Sequence, residues 1–452
     1  MNYHDSLLQK HRKINIKYKN IRLKAVLLRC KLIPMSFSDY YFTHYPSHPQ
    51  LFDDVPSTNV GVAVVIPCYD DEFVFKTLCS LENNENTDAD IEVIVVVNSG
   101  ASTPEDIICK NRKIYGMLKS RADSYYYKRF KLLPVLIEGV PKKNAGVGNA
   151  RKIGMDEAIR RFTAINRPDG IIVSLDADCL VSKSYFSIIE EEFRNNAAKG
   201  AFVIQFQHNY DSALFTEVEI RACRLYEVYL RYFNIALAFT GFPHAFHTVG
   251  SCFAVRAGRY VKSGGMARQQ GGEDFYFLHK LALMTEIGKI NTPLVFPAPR
   301  VSERVPFGTG PTVKRIIAND EYKVYNFGLF LILKRFYDYI HEIAVGRTFE
   351  RDKIPEEIKD FVGSEKLLSV INECIENSKE SKTLEKRLIS KFDAFFIVKF
   401  LNSFDVQSAY PLQDVTEAAS IILKQNLSQI NSLYMVQDEV EILENLLKEA
   451  AI

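Results

Sequence analysis

An Asp-Ala-Asp at positions 176–178, directly after the apolar run Ile171-Ile172-Val173-Ser174-Leu175, constrains this chain more than any other feature. The run is rich in β-branched and apolar side chains, so it reads as a buried strand. Two carboxylates at its C-terminal end would stand in the crevice where open α/β sheets bind ligands. Hard divalent cations prefer carboxylate oxygen, and a Mg²⁺ site is commonly one or two carboxylates completed by substrate phosphates. Standing alone, the same Asp-x-Asp is equally well explained as the cap of a helix starting near Ser182. The motifs around it decide between the two.

From Asn59 to about Phe296 the pattern alternates strand and helix, as in a mainly parallel sheet with helices on both faces. Strands are expected at Gly61–Ile66 (ended by Pro67), Ile91–Val97, Leu132–Ile137, Ile171–Leu175, Ala201–Phe206 and Gly250–Val255. Helices are expected at Phe73–Leu81, Gly148–Phe162, Tyr185–Asn195, Leu214–Leu237 and Asp274–Met284. After Gly308-Thr309-Gly310-Pro311 helical periodicity takes over, with frequent Lys and Glu. Three regions follow: a basic N-terminal segment (1–57), an α/β catalytic domain (58–310) and a helical C-terminal domain (311–452).

Charge and cysteine usage narrow the function. A formal net charge of only +2 gives no case for nucleic acid binding. The eight cysteines form no C-x-x-C pair, which reads as reduced thiols in a cytoplasmic protein. The N-terminus does not begin as a signal peptide, and no apolar stretch approaches the length of a membrane span. Between Lys10 and Lys31, however, nine Lys or Arg occur with no acid. With apolar residues at helical spacing, this reads either as peripheral attachment to the inner, anionic face of a membrane or as a helix docked on the catalytic domain.

Three further segments carry chemistry. Pro67-Cys68-Tyr69-Asp70-Asp71-Glu72 follows the first strand; Asp70 reads as a helix N-cap, while Tyr69 could stack on a nucleobase. Asn144-Ala145-Gly146-Val147-Gly148-Asn149-Ala150-Arg151 enters a helix, and its arginine offers a planar fork for phosphate. Gly271-Gly272-Glu273-Asp274 opens another helix. Adjacent residues there point about 100° apart, so only one of the two acids can face a given ligand. A carboxylate at a helix N-terminus is kept ionised by the dipole and suits a general base.

In this order and spacing the segments resemble the family-2 glycosyltransferases of the GT-A fold. Pro67, Tyr69, the acids after it and Leu78-Cys79-Ser80-Leu81 match the first-strand motif. Asn144, Gly146, Ala150 and Arg151 match a second, Asp176 and Asp178 the Asp-x-Asp, and Gly264-Gly265 with Glu273-Asp274 the last. The resemblance implies a nucleotide-sugar-dependent transferase. Pro67, Tyr69, Asp71, Glu72, Asn98, Asn144, Arg151, Asp176 and Arg304 would hold the donor. Asp176 and Asp178 would hold a divalent cation, Mn or Mg, and Asp274 would act as base with Glu273 as the alternative. A UDP-sugar is favoured over a GDP-sugar as donor, with a glycan or glycolipid as acceptor and inversion at the sugar carbon. Asn98 and Ser99 replace a pair of aspartates used by many members on uracil, and no histidine stands near Arg300–Gly308 to complete a metal site. The rivals are a retaining transferase, a sugar nucleotidyltransferase and a non-catalytic carbohydrate-binding scaffold. Pro67-Cys68-Tyr69 lacks the basic Gly-rich loop that a nucleotidyltransferase would carry there.

Overall fold

The computed structural model describes residues 36–268, 271–301, 308–425 and 437–450. The basic stretch Lys10–Lys31, read above as an amphipathic helix, lies outside them. Eight strands form one sheet: β1 Val60–Cys68, β2 Asp90–Gly100, β3 Lys131–Val140, β4 Ile171–Ser174, β5 Cys179–Val181, β6 Ala201–Phe206, β7 Phe253–Arg256 and β8 Ile287–Pro297. Their spatial order is β3-β2-β1-β4-β7-β6-β8-β5. The β3-β2-β1-β4 half and the β6–β8 pair are parallel, while β7 runs antiparallel to both β4 and β6, and β5 to β8. This is the GT-A arrangement.

Every residue of β1 is buried, because both faces of the sheet are covered. Val62, Val64 and Ile66 face the helices Val74–Glu82, Glu105–Asp123 and Tyr185–Asn195. Ala63 and Val65 face the helix Val147–Ala164. The chain therefore winds from β1 through β2 to β3 on one side and returns on the other to β4. That reversal opens a crevice between the C-terminal ends of β1 and β4, where such sheets bind ligands.

Helices Tyr185–Asn195 and strand β6 coincide with the sequence reading; other boundaries move by a few residues. Pro67 does not end β1, which continues to Cys68 opposite Val97. The Val65 carbonyl accepts from Leu175 N, so residues 65 and 67 present their polar groups to the β4 side. Since β4 ends at Ser174, the missing proline N–H faces an open edge. Asp70 caps no helix: its φ is +48°, the helix starts at Val74, and Asp71 Oδ1 instead accepts from Phe73 N. Asp-Ala-Asp caps no helix either, because β5 intervenes before the helix that starts at Tyr185.

The helices after Thr309 share one apolar core with the helix Glu217–Phe239 of the catalytic half, which begins in a Thr216–Glu219 capping box. Their only strands among the described residues are the paired dipeptides Lys323–Val324 and Gln413–Asp414. None of the described helices is long and apolar enough to cross a membrane. The N-terminal helix Asp39–His44 docks through Tyr41, whose hydroxyl donates to Asp156 at 2.7 Å and accepts from Lys152 at 2.6 Å. Gly265, at φ +71°, closes against the Tyr41 ring; a β-carbon there would collide with it. The Gly264-Gly265 pair thus seats the N-terminal helix rather than reaching the cleft.

Candidate active site

A cleft of about 960 Å³ opens at the C-terminal ends of β1, β2 and β4. The turn after β1 supplies Pro67, Tyr69 and Asp71, and β2 supplies Asn98. Asp176 and Asp178 stand where the chain leaves β4 to join β5 at the far side of the sheet. The Ala177 carbonyl between them accepts from Thr77 Oγ1 at 2.7 Å, fixing the bend to the helix Val74–Glu82. Glu273 and Asp274 enter from the opposite wall, at the start of the helix Glu273–Ala282. Residues from four separate stretches of sequence therefore converge.

Two arginines hold this acidic cluster together. Arg151 is 2% exposed and lies between Asp176, at 2.5 Å, and Glu273. Arg300, from the segment after β8, bridges Asp71 and Asp178, the latter at 3.2 Å. Asp71, Asp176, Asp178, Glu273 and Asp274 repel one another, and these pairs offset part of that repulsion. Arg151, expected to grip phosphate, is thus committed to two carboxylates. Arg300 was not singled out in the sequence, because strand β8, which carries it to the cleft, mixes glycine, polar residues and proline and gives no apolar run.

The acidic pair at 273–274 divides as adjacent helix-start residues must. Glu273 is 2% exposed and locked to Arg151. Asp274 is half-buried, and its Oδ1 accepts from Phe275 N at 2.7 Å. Burial raises its carboxyl above the ordinary aspartate range, outweighing the lowering effect of Arg151 and the backbone N–H. Burial therefore outweighs the backbone N–H groups of the helix start, which favour the ionised form. The shift moves Asp274 toward neutrality, which strengthens it as a base.

Other expected residues fall elsewhere. Glu72 is exposed and pairs with Lys113 across 3.8 Å, away from the cleft that Asp71 enters. Asn144 ends a short 3₁₀ turn and does not line the cleft. Arg304 lies outside the described residues. The half of the cleft beyond Asp274 is aromatic, walled by Tyr226, Tyr229, Phe233, Phe246 and Phe275. Burial pushes His279 in this wall down to about 3, so it is a neutral ring stacked on Phe246 at physiological pH. The helix Ala394–Leu401 closes that side with Ile397 and Val398. This wall leaves no trace in the sequence, where its members read as ordinary core.

Among the described residues, no group of three or more His, Cys, Asp or Glu side chains is placed to hold a metal ion. The donor set still fits a hard cation. Asp176 and Asp178 are 34% and 27% exposed at the mouth of the crevice, and a Mg²⁺- or Mn²⁺-type ion takes the rest of its shell from phosphate and water. The seven described cysteines form no disulfide with one another.

No curated protein matches this chain. Among solved structures, the Staphylococcus aureus TarS 1–349 complex with UDP-GlcNAc is similar at 12% identity and a TM-score of 0.37, over 86% of this chain and 92% of that one. The mannosyltransferase PcManGT from Pyrobaculum calidifontis, in complex with GDP-Man and Mn²⁺, is similar at 15% identity and a TM-score of 0.33, over 89% and 90%. The family model for glycosyl transferase family 2 matches residues 63–260, the span that carries β1 to β7 and the Asp-x-Asp. Residues 63–260 thus form a glycosyl transferase family 2 domain.

Proposed function

We propose that this enzyme transfers a sugar from a nucleotide diphosphate sugar to an acceptor hydroxyl with inversion. The observation that carries the reading is the convergence of Tyr69, Asp71, Asn98, Asp176, Asp178 and Asp274 on one cleft at the switch point of the sheet. Tyr69 is half-buried beside the crevice and offers its ring to the base; Asp71 and Asn98 offer polar atoms to base and ribose. Asp176 and Asp178 would hold a divalent cation, which neutralises charge on the departing diphosphate. In the reaction Asp274 takes the proton of the acceptor hydroxyl as that oxygen bonds to the anomeric carbon. The bond from that carbon to the diphosphate oxygen breaks, and the electron pair leaves with the nucleotide diphosphate.

Aromatic faces suit a sugar ring, so the wall of Tyr226, Tyr229 and Phe233 is the side for the acceptor, a polysaccharide or glycolipid. A UDP-sugar is the favoured donor and a GDP-sugar the alternative. Thermal-shift titrations of UDP and GDP, with and without Mn²⁺, test the donor half, since a ligand bound only to the native state raises apparent stability. A Mn²⁺-dependent rise with one nucleotide is expected; no rise with either removes the proposal.

We also retain a regional division into a basic N-terminal segment, a catalytic domain and a helical C-terminal domain, in a cytoplasmic protein. The nine basic residues of Lys10–Lys31 support contact with an anionic membrane. The full chain is expected to co-sediment with phosphatidylserine vesicles and to be released by salt, whereas a chain lacking residues 1–33 stays in solution. Equal behaviour of the two assigns the segment to docking on the protein.

A further inference from the structure

Beneath the aromatic half of the cleft lies a charge cluster that the reaction itself does not use. Glu439 belongs to the C-terminal helix Gln437–Ala450, and its side chain is fully buried. One carboxylate oxygen accepts from Arg231 at 2.7 Å. The other meets His247 Nε2 at 2.9 Å, Gln205 Nε2 at 3.0 Å and Lys289 Nζ at 3.0 Å. Arg231, equally buried, also donates to Glu227 at 2.7 Å and to the Phe206 carbonyl at 2.5 Å. The cluster sets two cations, Arg231 and Lys289, against two carboxylates, Glu227 and Glu439. Burial alone would raise the Glu439 carboxyl, but Arg231, His247 and Lys289 hold it well below its ordinary range.

The cluster touches the cleft directly. Phe206 and His247 both line it, with ring centroids 5.1 Å apart. Three residues beyond His247, the Gly250 carbonyl accepts from Ser174 Oγ of β4 at 2.6 Å. A β-carbon at Gly250 would stand 2.6 Å from Arg151 Nη2, so this wall sets the place of the arginine that pairs with Asp176 and Glu273. A path of contacts thus runs from the last described helix to the acids of the active site.

We propose that Glu439 is a positioning residue of the active cleft, completing a neutral buried cluster that fixes the wall from His247 to Ser251 against Arg151. The C-terminal helix is then part of the catalytic unit. Removing one member of a buried pair leaves an uncompensated charge, which the surrounding structure relieves by opening. A shift of about 1 Å in a catalytic wall can cost about 10²-fold in rate.

The test uses the full chain with Glu439→Gln, alone and combined with Lys289→Met. The single change leaves one excess buried cation, and the double change restores neutrality. Two quantities are read: amide exchange over residues 205–208 and 246–252, and kcat with donor affinity measured separately. The turnover readout rests on the glycosyl transfer proposed above; the exchange readout does not, so failure of one is separable from failure of the other. In Glu439→Gln, faster exchange in those two segments is expected, with β1 to β4 unchanged. A roughly 10- to 100-fold fall in kcat at unchanged nucleotide affinity is expected with it. Lys289→Met/Glu439→Gln should recover most of both. Native exchange in the single variant overturns the proposal, as does a double variant as defective as the single. If the single variant does not fold, the double variant decides: native exchange supports the role and loss of protection overturns it.

Discussion

Asp274→Asn is expected to lower turnover by about 10²- to 10⁴-fold, the contribution of a positioned base. Nucleotide affinity should hardly change, because this carboxyl would act on the acceptor. Activity should also show an acid limb at higher pH than an ordinary aspartate gives, since burial raises the Asp274 carboxyl and only its ionised form can accept the proton. The stability effect has the opposite sign. A carboxyl whose folded pKa is raised favours the fold only while protonated, and that contribution is lost as pH rises through the folded value. At neutral pH the ionised form therefore burdens the native state, so the amide should raise the melting temperature. A variant both more stable and nearly inactive would separate a catalytic acid from one that merely starts a helix. Glu273→Gln should behave differently. It removes the buried partner of Arg151, so it should destabilise, by about 3–5 kcal/mol if Arg151 finds no substitute. A stable, inactive Glu273→Gln beside an active Asp274→Asn would exchange the two roles.

The sheet was legible where each strand is a short, mainly apolar run buried on both faces. Val62–Ile66, Ile91–Val97, Ile171–Ser174 and Ala201–Phe206 are such runs. The helix Glu105–Asp123 escaped the sequence reading because it covers one edge of the sheet with few apolar side chains; Asn111, Ile114 and Leu118 are the residues it buries. Strand β8 escaped because Gly288, Lys289, Asn291, Thr292 and Pro293 interrupt it, although its end at Pro297 sits opposite Cys179. Missing β8 meant missing Arg300.

At the site, the residues that follow strands were found and their partners were not. A strand end that projects acids into a crevice leaves a local trace in the sequence. Ion pairs do not: Arg151 is separated from Asp176 by 25 residues and from Glu273 by 122. An arginine in a glycine-rich helix entry reads as a phosphate fork until the fold supplies the carboxylates. The same holds for Glu439, which lies 208 residues from Arg231 and looks in sequence like one solvent-facing acid among several in a terminal helix. Asp71 and Glu72 could be separated only by the turn itself, which buries the first and exposes the second.

Asp178→Asn is expected to abolish Mn²⁺-dependent nucleotide binding while the fold survives. The two chemical changes are unequal. In the donor-free chain Asp178 pairs with Arg300 at 3.2 Å at a partly exposed site, and Arg300 keeps Asp71 as a second partner. Losing that pair should cost about 1 kcal/mol or less. Toward a hard cation, however, an amide oxygen brings no charge, and Asp176 would be left as the single carboxylate of the Asp-x-Asp. A nucleotide diphosphate then approaches a cleft that still contains Asp71, Asp176 and Asp274, with less cationic charge to draw it in. At least a 10²-fold loss of affinity for the diphosphate in Mn²⁺ is expected, or about 2.7 kcal/mol. Calorimetric titration of UDP or GDP into the parent chain and the variant, with Mn²⁺ and with EDTA, measures it. The affinities in EDTA should coincide, because the difference resides in the cation. If Asp178→Asn kept the Mn²⁺ dependence of its parent, the cation would have to be held elsewhere, and Asp178 would serve only as the counter-charge of Arg300.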